Sequence, residues 1–129
     1  MIRALPPAEA ERILDERPGW MVLTTVDPEG YPHSVPMGYV RLDGRFYLGC
    51  RADTRKVRNL RACSRVSLYL DNGRTRPHRV VTIQGEGRVI DDPSELEGLR
   101  KALGREGAVP GRFAYIEVRP LRTLCWEHA

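Results

Sequence analysis

The strongest chemical signal is a run of hydroxyl and cationic side chains at the predicted start of a helix. Residues 53–58 read Asp-Thr-Arg-Lys-Val-Arg, and Asp53 is a residue type that commonly caps a helix N-terminus. With that cap, Thr54, Arg55 and Lys56 fall in the first turn, where free N–H groups and the helix dipole already carry positive charge. Cations become favourable at this position when an anion, above all a phosphate, binds there and balances the positive charge. The alternative is that these long side chains extend into solvent.

A second signal lies in the predicted strand over residues 32–41. Small side chains alternate there with bulky ones, namely Ser34, Pro36 and Gly38 against Val35, Met37 and Tyr39. Small residues let a flat ligand approach the backbone closely. Pro36 cannot donate a ladder hydrogen bond, which predicts an edge position or an irregularity. An ordinary edge strand without a ligand is the alternative.

Self-contained catalytic motifs are missing from the sequence. His33, His78 and His128 are scattered, and no Ser-His-Asp order or nucleophile elbow accompanies them. No His or Cys pair has a metal-ligand spacing. The Gly-Glu-Gly of residues 85–87 lacks the third glycine of a dinucleotide fingerprint. These observations argue against a hydrolase and against a zinc enzyme.

Composition predicts one small globular domain spanning residues 1–129. Hydrophobic residues make up 41% of the chain and charged residues 29%, as in ordinary globular proteins. No apolar run is long enough for a membrane span, and the first residues do not resemble a secretory leader. Three cysteines without a CxxC pair predict reduced thiols and a cytoplasmic location. The net charge is +4, but basic and acidic residues are interleaved, which argues against a nucleic-acid partner.

Hydrophobic periodicity and turn residues predict six strands and three short helices. The predicted strands are 20–26, 32–41, 45–50, 66–71, 78–90 and 113–123, and the predicted helices are 9–17, 53–62 and 92–104. Asp92, Pro93 and Glu95 form a strong N-terminal signal for the third helix. A bulge is expected at residues 85–87. Short strands joined by glycine turns predict a mainly β fold, a small antiparallel barrel with peripheral helices.

Four segments, in this order and spacing, resemble the pyridoxamine 5′-phosphate oxidase-like split-barrel superfamily. They are MVLTTV-DPEG at 21–30, PHSVP at 32–36, FYLGC with TRKVRNL at 46–60, and VTIQGEGRV at 81–89. The resemblance implies a six-stranded split barrel that forms a homodimer, with FMN or the deazaflavin coenzyme F-420 bound at the dimer interface. It covers residues 8–123.

The resemblance also implies roles for particular residues. Thr54, Arg55 and Lys56 match the segment that holds the cofactor phosphate. Two strands would flank the ring system, through His33, Ser34, Val35 and Pro36 and through Leu48, Gly49, Cys50 and Arg51. A polar residue on a later strand, Gln84 or Arg79, would reach the cofactor from the partner chain. The sequence departs from the vitamin B6 oxidases in lacking their longer C-terminal part, and two extra residues separate Cys50 from the Thr-Arg-Lys triplet.

The predicted function is that of a flavin- or deazaflavin-dependent oxidoreductase acting on a small organic substrate. Such a cofactor carries the hydride itself, which fits a sequence without an acid–base constellation. A homodimer is expected because bulky Trp20, Tyr39 and Tyr69 are difficult for one small barrel to cover. Two alternatives remain open. One is a non-catalytic carrier, sensor or haem-binding protein on this fold, with His33 or His128 as the haem ligand, and the other is an arginine-rich nucleic-acid module.

Overall fold

The computed structural model describes residues 1–16, 19–73, 75–105, 107 and 111–128. Eight strands and three helices follow one another along these residues. In chain order they are β1 (Ile2–Leu5), α1 (Glu9–Glu16), β2 (Trp20–Val26), β3 (Pro32–Gly38), β4 (Val40–Leu42), β5 (Arg45–Arg51), α2 (Arg55–Ala62), β6 (Arg65–Asp71), β7 (His78–Ile90), α3 (Pro93–Ala102) and β8 (Phe113–His128).

The strands form a single antiparallel sheet in the order β3-β2-β6-β7-β8-β5-β4, with β1 paired to β8. The sheet curls until β3 contacts β5, which makes it a half-barrel. The predicted fold class, a mainly β split barrel with small helices, is confirmed. β3 lies at one edge of the sheet, as expected for a strand that contains Pro36.

The strand count differs from the predicted six for two reasons. The predicted strand over 32–41 breaks at Tyr39, whose N–H donates to the Gly19 carbonyl (3.0 Å), so that β3 and β4 are separate. The prediction also missed β1. Pairing with β1 and β7 carries β8 on to His128, five residues beyond its predicted end.

Two apolar clusters hold the sheet and the helices together. The main core lies inside the curled sheet under α1 and includes the fully buried Ile13, Leu23 and Ile116. The second cluster lies between α3 and the other face of the sheet, around Leu96 and Tyr115. α3 begins as predicted, because the Asp92 carboxylate accepts the Glu95 N–H (3.0 Å) and proline follows the cap.

The β7–β8 pairing is irregular at Gly85, where a bulge in β7 was predicted, but the extra residue lies in β8 rather than in β7. The register of β7 with β8 shifts between Gln84 and Gly85, so that Gln84 pairs with Arg122 and Gly85 with Pro120. One extra residue, Leu121, is therefore accommodated in β8. β7 and β8 approach closely at Gly85, which leaves no room there for a side chain.

One face of the β2-β6-β7-β8 part of the sheet carries large side chains that no helix covers. This outer face bears Trp20, Tyr69 and Leu124, whose exposed fractions are 62%, 37% and 40%. Successive Cα partners on β2, β6, β7 and β8 form one row across this face, namely Val22, Tyr69, Thr82 and Leu124. A parallel polar row contains Ser34, Thr24, Ser67, Gln84 and Arg122.

Candidate functional site

The start of α2 lies one residue later than the sequence predicted. The helix begins at Arg55, and Thr54 is the N-cap residue, with extended backbone angles of φ −92° and ψ 162°. The prediction that Asp53 caps α2 is wrong, because Arg51 binds both oxygens of that carboxylate, at 3.1 and 3.0 Å. This bidentate pair lowers the pKa of Asp53 and raises the pKa of Arg51.

The N-terminus of α2 is left without an internal anion. The Thr54 hydroxyl donates to the Arg51 carbonyl (3.0 Å) and makes no capping hydrogen bond to the helix. The first turn contains no acidic residue, whereas Arg55 and Lys56 occupy its first two positions. Free N–H groups and cations therefore meet at one helix end, which is a setting for an external anion. We call residues 51–56 the α2 cradle.

Cys50, at the end of β5, lies against the α2 cradle. Burial raises the pKa of its thiol, while the Lys56 charge and the Thr54 hydroxyl partly offset that effect. The offset shows that all three side chains share one local environment. The end of β5 therefore lies close to the Thr-Arg-Lys segment.

The raised pKa predicts that Cys50 is a poor nucleophile at neutral pH, since the thiolate is the reactive form. In the folded protein at pH 7.5, iodoacetamide should modify Cys50 more slowly than in the urea-unfolded chain, as followed by peptide mass spectrometry. The folded-state rate should rise at a higher pH than the unfolded-state rate. A folded-state rate equal to or faster than the unfolded one would contradict the assignment.

A buried hydrogen bond ties α2 to the second predicted signal. The Asn59 side-chain amide donates to the Thr25 hydroxyl at 3.0 Å, and both residues are almost completely buried. Thr25 on β2 is the Cα partner of His33 on β3. The structure therefore connects the α2 cradle to β3 through one helix residue and one strand residue. Sequence reasoning missed Asn59, although a lone amide between apolar Val57 and Leu60 could have signalled it.

His33 carries a polar atom without a partner. Its Nδ1 is buried, and no hydrogen-bond partner lies within the part of the chain that the structure describes. A buried ring nitrogen is normally satisfied, so this atom has a vacant hydrogen-bonding capacity. At the predicted β3 site, His33 therefore has a ring nitrogen that could form a hydrogen bond with a ligand.

The remaining predicted residues of β3 and β5 divide between the core and the surface. Val35 packs against the main core, and Leu48 is completely buried within it. Ser34 and Pro36 are exposed, and the Ser34 hydroxyl shares a 2.8 Å hydrogen bond with Thr24. Gly49 faces the Phe113 and Tyr115 rings on the α3 side of the sheet.

The two residues predicted to act from a partner chain lie in different surroundings. Gln84 is exposed on the outer face, in the same row as Ser34 but three strands away, which is about 14 Å at the usual strand spacing. Arg79 binds Glu127 at 3.1 Å and Glu16 at 3.2 Å. One chain therefore does not bring Gln84 next to Ser34, and the role of each residue stays a prediction.

Comparison with known proteins identifies the family. The model of the family described as pyridoxamine 5′-phosphate oxidase matches residues 7–127, which is nearly the whole chain. The chain belongs to the pyridoxamine 5′-phosphate oxidase family. No curated protein matches its sequence closely enough to count as a relative.

Solved structures support the fold of this pyridoxamine 5′-phosphate oxidase family member. An FAD-binding protein from Mesorhizobium loti is 20% identical, with a TM-score of 0.82 over 100% of this chain and 99% of that one. A conserved hypothetical protein from Mycobacterium tuberculosis is 24% identical, with a TM-score of 0.75 over 98% and 87%. An F-420 reductase is 22% identical, with a TM-score of 0.66 over 88% and 94%. At these identities the likeness shows the shared fold.

Among the described residues, no three His, Cys, Asp or Glu side chains are grouped closely enough to hold a metal ion. None of the helices in the described ranges has the length and apolar character needed to cross a bilayer.

Proposed function

We propose that this protein binds a phosphate-bearing flavin-type cofactor, FMN or the deazaflavin F-420, and acts as an oxidoreductase on a small organic substrate. The observation that carries the proposal is the N-terminus of α2, where Thr54 makes no side-chain capping hydrogen bond and the first turn contains Arg55 and Lys56 but no acidic residue. Family membership adds independent support, because the matched region includes the whole α2 cradle.

The residues present fit a cofactor of this kind. A phosphate would accept hydrogen bonds from the free N–H groups of the first helical turn and would balance the charges of Arg55 and Lys56. Arg51 contributes little net charge, since Asp53 neutralises it. The buried His33 Nδ1, which lacks a partner among the described residues, could serve a polar atom of the ring system.

The side chains of this protein would mainly bind and orient. A bound flavin or deazaflavin would supply the hydride chemistry. Lys56 and Arg55 would fix the phosphate end, while Asn59, through Thr25, would hold α2 at a constant position relative to β3. Ser34 and Pro36 would leave room for a flat ring beside the exposed edge of β3.

Titration of the purified apoprotein with FMN and with F-420 tests this proposal. We expect saturable binding of one of the two, detected by a change in cofactor fluorescence. The reduced complex should then be reoxidised by an organic acceptor faster than the free cofactor is. Binding without any acceleration would favour a carrier or sensor on this fold. Failure of both cofactors to bind would contradict the proposal.

We also propose that the active form is a homodimer joined through the outer face. Trp20, Tyr69 and Leu124 expose large side chains on this face, and exposed apolar areas commonly mark interfaces. Gln84 lies in the polar row beside them and would face the partner chain in such an assembly.

The dimer should be sensitive to charge at Trp20. Light scattering at micromolar concentration should give twice 14.7 kDa for the natural protein. Trp20→Asp should shift the mass toward the monomer, because it places a carboxylate on the apolar outer face. Tyr31→Asp is the matched control, since Tyr31 is equally exposed (67%) but lies in the turn before β3. A monomeric natural protein, or a fully dimeric Trp20→Asp variant, would contradict the proposed interface.

A further inference from the structure

A second potential binding site lies on the opposite side of β5 from the core. A cavity of about 860 Å³ opens between α3 and the start of β8. Pro93, Leu96 and Phe113 give it apolar walls. Its volume falls in the range typical of small-molecule sites. None of these three wall residues takes part in the proposed cofactor binding.

Cationic side chains line the same cavity. Arg100, Lys101 and Arg112 all border it. Of the two acidic residues on its wall, Asp91 is already paired with Arg61, which leaves Glu97 as the other negative group. The described lining therefore carries an excess of positive charge.

Arg100 is the residue that points most directly to a ligand. Its guanidinium carbon lies 5.5 Å from the centre of the Phe113 ring, in cation–π geometry. Its Nε is buried, and the described residues offer it no hydrogen-bond acceptor. A buried donor without an acceptor is costly, so an acceptor supplied by a ligand would stabilise this arrangement.

We propose that this cavity binds a small organic anion with a flat apolar body, such as an aromatic carboxylate or an aryl phosphate. The anionic group would accept hydrogen bonds from Arg100 and Arg112, and the ring would pack between Leu96 and Phe113. At one end the cavity includes Ala52 of the α2 cradle, whose N–H donates to the Arg112 carbonyl (3.0 Å). The anion-binding groups themselves, Arg100 and Arg112, belong to α3 and to the residue just before β8 rather than to α2.

Binding of 2-naphthoate, 2-naphthyl phosphate and the neutral 2-naphthamide to the apoprotein tests the proposal by calorimetry. We expect at least one anion to bind and the amide to bind at least about tenfold more weakly, because it lacks the charge that Arg100 and Arg112 recognise. The tighter of the two anions identifies the preferred head group. Equal affinity for the amide, or no binding of either anion, would overturn the proposal. No flavin is present, so the result does not depend on cofactor binding.

Two variants locate the bound anion. Arg100→Met keeps an unbranched apolar stem but removes the guanidinium group and its charge, and it should weaken binding of the preferred anion about tenfold or more. Arg12→Met is the matched control, because Arg12 is an exposed helical arginine on α1, distant in sequence from α3. If Arg100→Met fails to fold by thermal melting, Arg112→Gln provides the same test. Unchanged anion affinity in the folded variant would overturn the assignment.

Discussion

Lys56→Ala should weaken binding of the phosphate-bearing cofactor roughly 10- to 150-fold. Lys56 is at the second position of α2, beside free backbone N–H groups and without an acidic neighbour in the first turn. Losing a charge-assisted hydrogen bond to phosphate costs about 1.5–3 kcal/mol, and each 1.4 kcal/mol corresponds to about tenfold in affinity. Fluorescence titration of the natural protein and the variant with the same cofactor measures the ratio.

The fold should tolerate this change. A cation at a helix N-terminus opposes the helix dipole, so removing it costs the helix nothing electrostatically. The thermal midpoint of the variant should therefore match or slightly exceed that of the natural protein. Arg12→Ala on α1 is the control and should leave cofactor affinity within about twofold, since it removes an exposed helical cation outside the α2 cradle. Equal cofactor affinity in the Lys56 and Arg12 variants would contradict the assigned role.

Gly85→Ala should destabilise the protein by about 1–3 kcal/mol or more, the usual cost of overfilling a packed interior. A Cβ at Gly85 would overlap the Arg119 carbonyl oxygen and would lie 3.1 Å from its carbonyl carbon and 3.3 Å from the Pro120 Cα. These atoms belong to the backbone of β8, so β7 and β8 would have to separate at the bulge. Urea unfolding of both proteins measures the difference in the free energy of unfolding.

Gly98→Ala is the matched control and should act in the opposite direction. Gly98 is exposed in the interior of α3, and no atom lies within 4 Å of the position that its Cβ would take. Alanine should therefore stabilise the helix by about 0.5–1 kcal/mol. If Gly85→Ala were as stable as the natural protein, the close approach of β7 and β8 would be wrong.

The sequence correctly predicted those strands and helices whose ends depend on residues close to them in the chain. The limits of β2 follow from its run of apolar and β-branched residues, and the Asp92 cap of α3 needs only three neighbouring residues. The position of the irregular pairing at Gly85 was also readable from the sequence, because glycines inside a long strand indicate a bulge, although the extra residue lies in β8. The family resemblance then predicted that these elements assemble into a split barrel.

Features that depend on distant contacts were not predictable in this way. β1 is a strand only because residues 125–128 pair with it, and nothing in the first five residues signals that pairing. Asp53 is a good cap by type, but Arg51 competes successfully for its carboxylate. The cavity beside α3 depends on the meeting of Arg100 with Phe113, which are thirteen positions apart and belong to different elements.

Binding of a cofactor phosphate by the α2 cradle is tested most directly by a double comparison. Dissociation constants are measured for the natural protein and Lys56→Ala, each with FMN and with riboflavin, which lacks the phosphate. If F-420 is the cofactor that binds, its phosphate-free chromophore replaces riboflavin. We expect the preference for the phosphorylated form to fall at least about tenfold in the variant, with riboflavin affinity nearly unchanged. The same preference in both proteins would show that the phosphate does not bind at Lys56.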